Sequence, residues 1–311
     1  MTGSHETRRA WIAWIAICVI WGTTYLAIKI ALGTIPPLLM GGFRYLIAGA
    51  IMIALMKLQG RRLPPKSAWP SQALIGCIML GFGNGGVVIG EQHLTSGLTA
   101  VLVGTSPFWM VGIDAAFPGG KRLRFMQLVG MVIGFVGIVM LVWPDLARGA
   151  QAGAGSTSPS LSSVLTGIAA VQIACIGWAL ASSYSKRHTQ SADVIGTATL
   201  QMLSGGALMT LVATLRGEWA HLSFTVTTAG ALAYLAVLGS VVAFVSYSYA
   251  LKHLPISVAS LYTYVNPVIA VALGALLLHE PFGRLQIAAA GVIGLGMMIV
   301  RPGKQVEGEV S

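Results

Sequence analysis

The segment LYTYVNPVIA, residues 261–270, places hydroxyl groups, an amide and a proline inside an otherwise apolar stretch. Helical spacing puts Ser257 and Tyr264 on one stripe of a helix, while Tyr262 and Asn266 fall on nearly the opposite stripe. Only one stripe can face a cavity, so the other must pack against neighbouring helices with its polar groups satisfied internally. The spacing alone leaves open which stripe lines a cavity.

The proline of this segment, Pro267, removes a backbone donor and leaves the carbonyl of Thr263 without its usual partner. Pro107 has the same effect on the carbonyl of Val103. A carbonyl at membrane depth must find a partner in protein or water. We therefore predict paired hinges at Pro107 and Pro267, with a static kink as the alternative.

Catalytic and metal-binding patterns are absent from the sequence. It has no G-x-S-x-G nucleophile motif, no H-E-x-x-H motif and no facing aspartates, and its three cysteines lie in separate apolar runs. None of the nine acidic residues falls at the middle of an apolar run, and Glu91 is expected at an outer end. We therefore predict no metal, no cofactor and no enzymatic activity.

The composition indicates a protein embedded in lipid, because 55% of its residues are hydrophobic, 9% are charged and the mean hydropathy is +0.79. Ten apolar runs have lengths near the roughly 20 residues that span a bilayer. Most of the nineteen Lys and Arg residues fall in alternate loops, which predicts both termini in the cytoplasm. The net charge of +10 is thus an orientation signal, and we expect a lipid bilayer and no nucleic acid as partner.

An internal repeat divides the chain. The stretch HLTSGLTAVLVGTSP from His93 matches HLPISVASLYTYVNP from His253 at an offset of 160 residues. The prediction is a first five-helix half over 1–147, a small and polar linker over 148–162, and a second half with a cytoplasmic tail over 163–311.

A weaker match, at an offset of 157, aligns Trp21 and Lys29 with Trp178 and Lys186. Because five is odd, the second half must enter the membrane from the opposite side, and the two lysines then lie at opposite faces. We predict an all-α integral membrane protein with ten transmembrane helices, arranged as two inverted five-helix repeats around a central cavity. Inverted repeats are typical of secondary transporters, which bind substrate at the repeat interface near the midplane.

Several motifs carry a family resemblance: WGTTYLAIK from Trp21, GGFRYLIAGA around Arg44, SPFWM, NPVIA and the closing HEPFGRLQIAAAGVIGLGMMIV. Together they resemble the EamA-type branch of the drug/metabolite transporter superfamily, as two repeats from Trp11 to Arg301. The resemblance implies ten helices with cytoplasmic termini, a cavity lined by both halves, and export of metabolites. The pattern is broken in the first half, which lacks a counterpart of Glu280.

The resemblance also bears on coupling. Small proton-coupled exporters of this superfamily use a membrane-embedded glutamate in the first helix, where this chain has Trp21 and Tyr25 but no carboxylate. We therefore expect a facilitator rather than a proton exchanger. Arg44, inside the second span, is expected to bond a helix-end carbonyl, with carboxylate binding as the alternative; Lys29 and Lys186 are expected to extend towards opposite interfaces.

Glycines admit two interpretations. Gly130 and Gly134 fit close helix packing through small-x-x-x-small faces. The glycine-rich GFGNGGVVIG of the third span also suits a roomy cavity wall opposite aromatic side chains. The sequence leaves both roles open for this span.

Among the members of this family, the chain resembles bacterial exporters of aromatic and other amino acids. The functional prediction that this resemblance implies is a monomeric inner-membrane exporter of amino acids, including aromatic and large apolar ones, that works by alternating access. Aromatic rings would recognise apolar bulk, and hydroxyl, amide or carbonyl groups would meet the ammonium and carboxylate of the small-molecule substrate. The candidate cavity residues are Trp21, Tyr25, Asn84, Thr105, Trp178, Tyr247, Ser257, Tyr264 and Asn266. The alternatives are a proton-coupled drug or other metabolite exporter and, in another class, a lipid flippase or membrane scaffold.

Overall fold

The computed structural model describes residues 2–94, 99, 102–118, 120, 124–151, 161–188, 193–278 and 283–300, and most of these residues are helical. No β-strand occurs in these residues. The principal helices are α1 (Thr2–Ala31), α2 (Pro37–Leu58), α3 (Lys66–His93), α4 (Ser106–Ala116), α5 (Phe125–Gln151), α6 (Leu161–His188), α7 (Val194–Leu215), α8 (Val226–His253), α9 (Tyr262–Leu278) and α10 (Arg284–Ile299).

Six of these helices, α1, α2, α3, α6, α7 and α8, are long and apolar enough to cross a membrane. Shorter apolar stretches lie in α5, around α9 and in α10. Large apolar side chains such as Ile12 and Leu276 are exposed on the outside, as a lipid-facing surface requires. The predicted all-α membrane fold is confirmed.

Helix boundaries differ from the prediction around the linker. Helix α5 continues to Gln151 and α6 already begins at Leu161, so helix extends into both ends of the predicted linker 148–162. The prediction relied on small and polar composition, but the alanines of this stretch favour helix. Residues 152–160, Glu280 and the tail after residue 300 lie outside the described residues.

Polar contacts between helix ends define one face of the protein. The guanidinium of Arg61, after α2, lies 2.5 Å from the carboxylate of Asp193, before α7. Arg187 near the end of α6 pairs with Asp114 near the end of α4 at 2.8 Å. We call this side, where α2, α4 and α6 end, the near face.

The opposite side, the far face, is defined in the same way. Glu218, between α7 and α8, accepts hydrogen bonds from the backbone N–H groups of Leu38 and Leu39 at the start of α2, at 3.0 and 2.9 Å. His93 at the end of α3 lies 2.9 Å from the hydroxyl of Ser163 at the start of α6. Helix α6 therefore runs from the far face to the near face.

Helix α1 runs in the opposite direction. Trp14 near its start donates to the carbonyl of Val258 at 3.1 Å, and Thr34 just after its end lies 2.9 Å from Thr228 at the start of α8. Helix packing follows the same inversion, because α2 packs on α7 and α5 on α10, each on its repeat equivalent. The packing of α1 on α8 and α9 is mirrored by that of α6 on α3 and α4. The two halves are thus inverted repeats.

The contact between α5 and α10 depends on glycine. A Cβ added to Gly296 would lie 2.4 Å from the backbone nitrogen of Gly134, and one added to Gly130 would lie 2.7 Å from the carbonyl oxygen of Gly296. These distances leave no room for a methyl group. The predicted close packing through Gly130 and Gly134 is confirmed.

We predict that Gly296→Ala destabilises the protein by about 1–3 kcal/mol, because overpacking forces the two helix backbones apart. Thermal unfolding of the purified protein in detergent measures the effect. Gly291→Ala is the matched control on the same helix, since nothing lies within 4 Å of the added Cβ and alanine favours helix. Equal melting temperatures for the two variants would contradict this packing.

Candidate functional site

A cavity lies between the two halves and opens towards the far face. Its volume is about 110 Å³, which is large enough for several water molecules. Helices α1, α2, α3, α4, α6, α8 and α9 contribute to its wall. The wall includes Ile28 of α1 and Val87 of α3, which lie in the far halves of their helices.

An aromatic floor, formed by Trp21, Trp178, Tyr247 and Tyr262, closes the cavity on its near side. The ring centroids of Trp21 and Tyr262 are 4.8 Å apart, and those of Trp178 and Tyr247 are 5.4 Å apart. The repeat equivalents Trp21 and Trp178 meet edge to face at 5.8 Å. The indole of Trp178 donates to the hydroxyl of Tyr247 at 2.9 Å, which satisfies both polar groups inside the floor.

Both halves contain a π-helical segment at this depth, Cys77–Asn84 in α3 and Leu235–Val242 in α8. In α8 the backbone N–H of Ala243 donates to the carbonyls of Leu238 and Ser240 and bypasses that of Gly239. Single π turns are frequent at functional sites. The sequence carries no residue pattern that marks this change of helical register, so sequence reasoning missed it.

The backbone carbonyl of Gly239 accepts hydrogen bonds from two side chains of the cavity wall. It accepts from the indole of Trp21 at 3.0 Å and from the guanidinium of Arg44 at 2.9 Å. A Cβ at this position would lie 3.2 Å from the Arg44 guanidinium, so the glycine lets the side chain approach. One backbone oxygen thereby joins α1, α2 and α8.

Five of the predicted cavity residues lie in the wall. Tyr262 also lines the cavity, on the same stripe of α9 as Asn266. Asn266 is almost fully buried and, in the amide orientation that satisfies it, donates to the carbonyls of Cys18 and Tyr262 at 3.1 and 3.0 Å. The five are Trp21, Tyr25, Asn84, Trp178 and Asn266.

The other stripe of α9 packs against α5. Tyr264 is fully buried and its hydroxyl donates to the carbonyl of Met131 at 2.9 Å, while its ring occupies the space that Gly134 leaves free. Ser257 belongs to the short helix Ile256–Ala259 that precedes α9, and its hydroxyl lies 3.5 Å from the amide of Gln127 in α5. The structure thus assigns Ser257 and Tyr264 to helix packing, which corrects their predicted place in the cavity wall.

Two further candidates lie outside the wall. The hydroxyl of Thr105 bonds to the carbonyl of Leu102 at 2.6 Å and lies 3.1 Å from Gln172, so it is used within the α4–α6 contact. Tyr247 belongs to the floor beneath the lining residues and is 1% exposed. Helical periodicity could not separate a second layer of side chains from the first.

The two prolines occupy different positions in their helices. Pro107 lies in the first turn of α4, where its missing N–H costs nothing, and the hydroxyl of Ser106 donates to the carbonyl of Val103 at 2.6 Å. Pro267 lies inside α9. The predicted pair of matched kinks is therefore corrected, because only the second proline interrupts a helix interior.

Two charged residues outside the set of candidate cavity residues also line the cavity, Arg44 and Glu91. Arg44 had been considered for carboxylate binding as the alternative to a structural role. Glu91 was expected at a helix end, but it follows Asn84 by seven positions and therefore shares a helix face with it. This spacing is the signal that could have found it. The described residues contain no cluster of three or more His, Cys, Asp or Glu side chains suited to a metal ion.

The near side of the cavity is closed by contacts between helix ends. The ammonium group of Lys186 in α6 donates to the carbonyls of Leu251 and Leu254, at 2.6 and 2.5 Å, and so caps the end of α8. Arg187 beside it bonds to the carbonyl of Asp114 at 2.9 Å in addition to its ion pair. In the part of the chain that the structure describes, the cavity is therefore open to the far face and closed to the near face.

The fold and the cavity define a class, that of membrane transporters built from inverted repeats. The model of the EamA-like transporter family matches residues 9–143 and 165–301. This chain belongs to that family, which confirms the predicted resemblance and the exclusion of an enzyme.

Similar proteins cover nearly the whole chain. It is 35% identical to the uncharacterized inner membrane transporter YedA of Escherichia coli K12 over 295 residues, which are 94% of this chain and 90% of that protein. It is 25% identical to the uncharacterized transporter YoaV of Bacillus subtilis 168, covering 86% of this chain and 87% of YoaV. A solved crystal structure, 21% identical, superposes with a TM-score of 0.75 over 93% of this chain and 95% of that one, which supports the fold.

We predict that Asn266→Ala changes the order of preference among transported solutes, because Asn266 lines the cavity. Tyr264→Phe should lower thermal stability, since it removes the bond to Met131, and should leave that order unchanged. Competition of unlabelled solutes for uptake by reconstituted liposomes measures the preference. A change of preference in the Tyr264 variant alone would reverse the assignment of the two stripes.

Proposed function

We propose that this protein exports amino acids, including aromatic and large apolar ones, by alternating access across a bacterial inner membrane. The observation that carries the proposal is a cavity between inverted halves that combines aromatic rings with amide, phenol and charged groups. YedA is named an inner membrane transporter, which supports the same location for this chain. We further propose that it works as a monomer with both termini in the cytoplasm, so that the near face is cytoplasmic.

The cavity wall suits an amphipathic solute of moderate size. The indoles of Trp21 and Trp178 offer apolar contact area at the floor, and their own N–H groups are already satisfied within the protein. Tyr25 and Asn84 add polar groups to the wall. An aromatic amino acid would place its ring on the floor and its charged end towards these groups.

Alternating access follows from the repeat. By the offsets of 157 and 160 residues, Lys186 and the carbonyls of Leu251 and Leu254 correspond to Lys29, Glu91 and Leu94. In this conformation Lys29 is exposed and makes no hydrogen bond or ion pair to the described residues, and the cavity separates α1 from α3. In the mirror-related conformation Lys29 would cap the far end of α3 as Lys186 now caps the near end of α8.

We predict that Lys186→Met and Lys29→Met shift the conformational equilibrium in opposite directions. Lys186→Met removes the near-face cap and favours the state closed to the far face, whereas Lys29→Met favours the present state. The native thiol Cys175, which lines the cavity, reports the state through its rate of labelling by a membrane-impermeant maleimide applied from the far face.

The labelling experiment uses a background in which Cys18 and Cys77 are replaced by alanine, so that only one thiol remains. Slower labelling of Cys175 in the Lys186 variant and faster labelling in the Lys29 variant are expected. A change in the same direction for both variants would contradict exchange between the two caps.

Counterflow in liposomes tests the proposed substrate class. Vesicles that contain the purified protein and unlabelled L-phenylalanine should accumulate external labelled L-phenylalanine transiently, and large apolar amino acids should compete better than glycine. Protein-free vesicles are the control. If no amino acid is transported and none competes with labelled L-phenylalanine, the amino-acid proposal fails. A lipid flippase or a membrane scaffold is then the better interpretation.

Proton coupling is the second candidate mechanism, because Glu91 places a carboxylate in the cavity wall. In the facilitator proposal, uptake of L-phenylalanine by the same vesicles does not respond to an imposed pH gradient. Uptake that follows the gradient, and loses this response in Glu91→Gln, would establish the proton-coupled alternative instead.

A further inference from the structure

We infer that Arg44 is the subsite of the cavity that binds an anionic group of the substrate, namely its carboxylate. The inference rests on the proposed function and names the chemical group that the cavity recognises. Arg44 lies seven residues after the start of α2, well within the span, and its side chain is 5% exposed while lining the cavity. A charge at this depth is costly and marks a substrate pathway more often than a packing contact.

The guanidinium group of Arg44 is held in place by neutral partners. Its Nε donates to the hydroxyl of Ser240 at 2.7 Å, and Nη2 donates to the carbonyl of Gly239 at 2.9 Å. Both acceptors belong to the π-helical segment of α8, and Gly239 lines the cavity. The guanidinium also lies 5.1 Å from the centroid of the Tyr45 ring. None of these partners carries a negative charge.

No carboxylate lies within ion-pair distance of Arg44 among the described residues. Of the acidic groups there, Asp114 and Asp193 pair with other arginines, and Glu218 binds the start of α2. A guanidinium has five N–H donors, and the hydrogen bonds of Arg44 to Ser240 and Gly239 use two of them. The remaining three can bind a carboxylate in the bidentate geometry that arginine favours.

The charged residues of the cavity wall indicate how much negative charge the bound group can carry. Arg44 is the one cation and Glu91 the one carboxylate among the lining residues that the structure describes. A wall with one positive and one negative side chain suits a solute that carries one positive and one negative charge. It disfavours a doubly charged phosphate, which would face one cation and be repelled by Glu91. A carboxylate within a zwitterion therefore fits this wall.

The test compares solutes that differ only at the carboxylate. In the counterflow assay, unlabelled L-phenylalanine and L-phenylalaninamide compete with labelled L-phenylalanine. The structure predicts that the amide competes at least about tenfold more weakly, because it cannot form charge-assisted bonds to Arg44. In Arg44→Gln the two competitors should differ by less than about twofold, whereas Arg44→Lys should give an intermediate ratio. Arg61→Gln, on the near face, is the matched control and should keep the ratio of the unaltered protein.

The ratio of the two competitors separates binding from a structural role, since a structural defect lowers transport of both compounds alike. Equal competition by both compounds in the unaltered protein, or an unchanged tenfold ratio in Arg44→Gln, would overturn the inference while leaving amino-acid transport intact. Should Arg44→Gln fail to fold, the unaltered protein and Arg44→Lys decide the question. Absence of transport for every amino acid would instead remove the proposed function and this inference with it.

Discussion

An odd number of membrane crossings in each half is the constraint on which the rest of this structure depends. Because each half contributes five helices, the second half must run in the opposite direction to the first. Residues that match in sequence therefore lie at opposite depths or meet at the centre. Trp21 and Trp178 meet in the aromatic floor, whereas Lys29 and Lys186 lie at opposite faces. The cavity is the space that this arrangement leaves open on one side.

Backbone carbonyls satisfy most of the buried donors around the cavity. The indole of Trp21, the guanidinium of Arg44 and the ammonium of Lys186 all donate to carbonyl oxygens of α8 or of the residues after it. In lipid an unpaired carbonyl is costly, so π turns and helix ends become natural partners for long polar side chains. In the proposed alternating access, such bonds would be replaced by equivalent ones in the opposite half, because carbonyls at matching positions are present there whatever the side chain.

The sequence was sufficient for the fold because its signals are long and repeated. Ten apolar runs, a charge bias and a match over His93 and His253 all describe the same inverted arrangement. Within the cavity the sequence succeeded where one face of a helix decides the position, as for Asn84 and Trp178. It failed for Tyr264, because the choice between two polar stripes depends on the space left by Gly134, a residue of another helix.

Charged residues show the same limit. The prediction for Glu91 rested on its position near a helix end. The cavity extends to that end of α3, so Glu91 lines the cavity wall. The position of Arg44 was clear from the sequence, whereas the absence of a counter-ion among the described residues could be seen only after their acidic side chains had been placed. Local propensity also could not predict the π-helical segments, which depend on how α3 and α8 meet their neighbours.

Distances between spin labels on both faces test the central claim of exchange between mirror-related states. One pair of labels replaces Ile30 and Gln92 at the far ends of α1 and α3, and the other replaces His188 and Lys252 at the near ends of α6 and α8. In liposomes we expect two populations for each pair, with the far pair short whenever the near pair is long, and L-phenylalanine shifting the two distances in opposite directions. A single fixed distance for each pair, or distances that lengthen and shorten together, would contradict it.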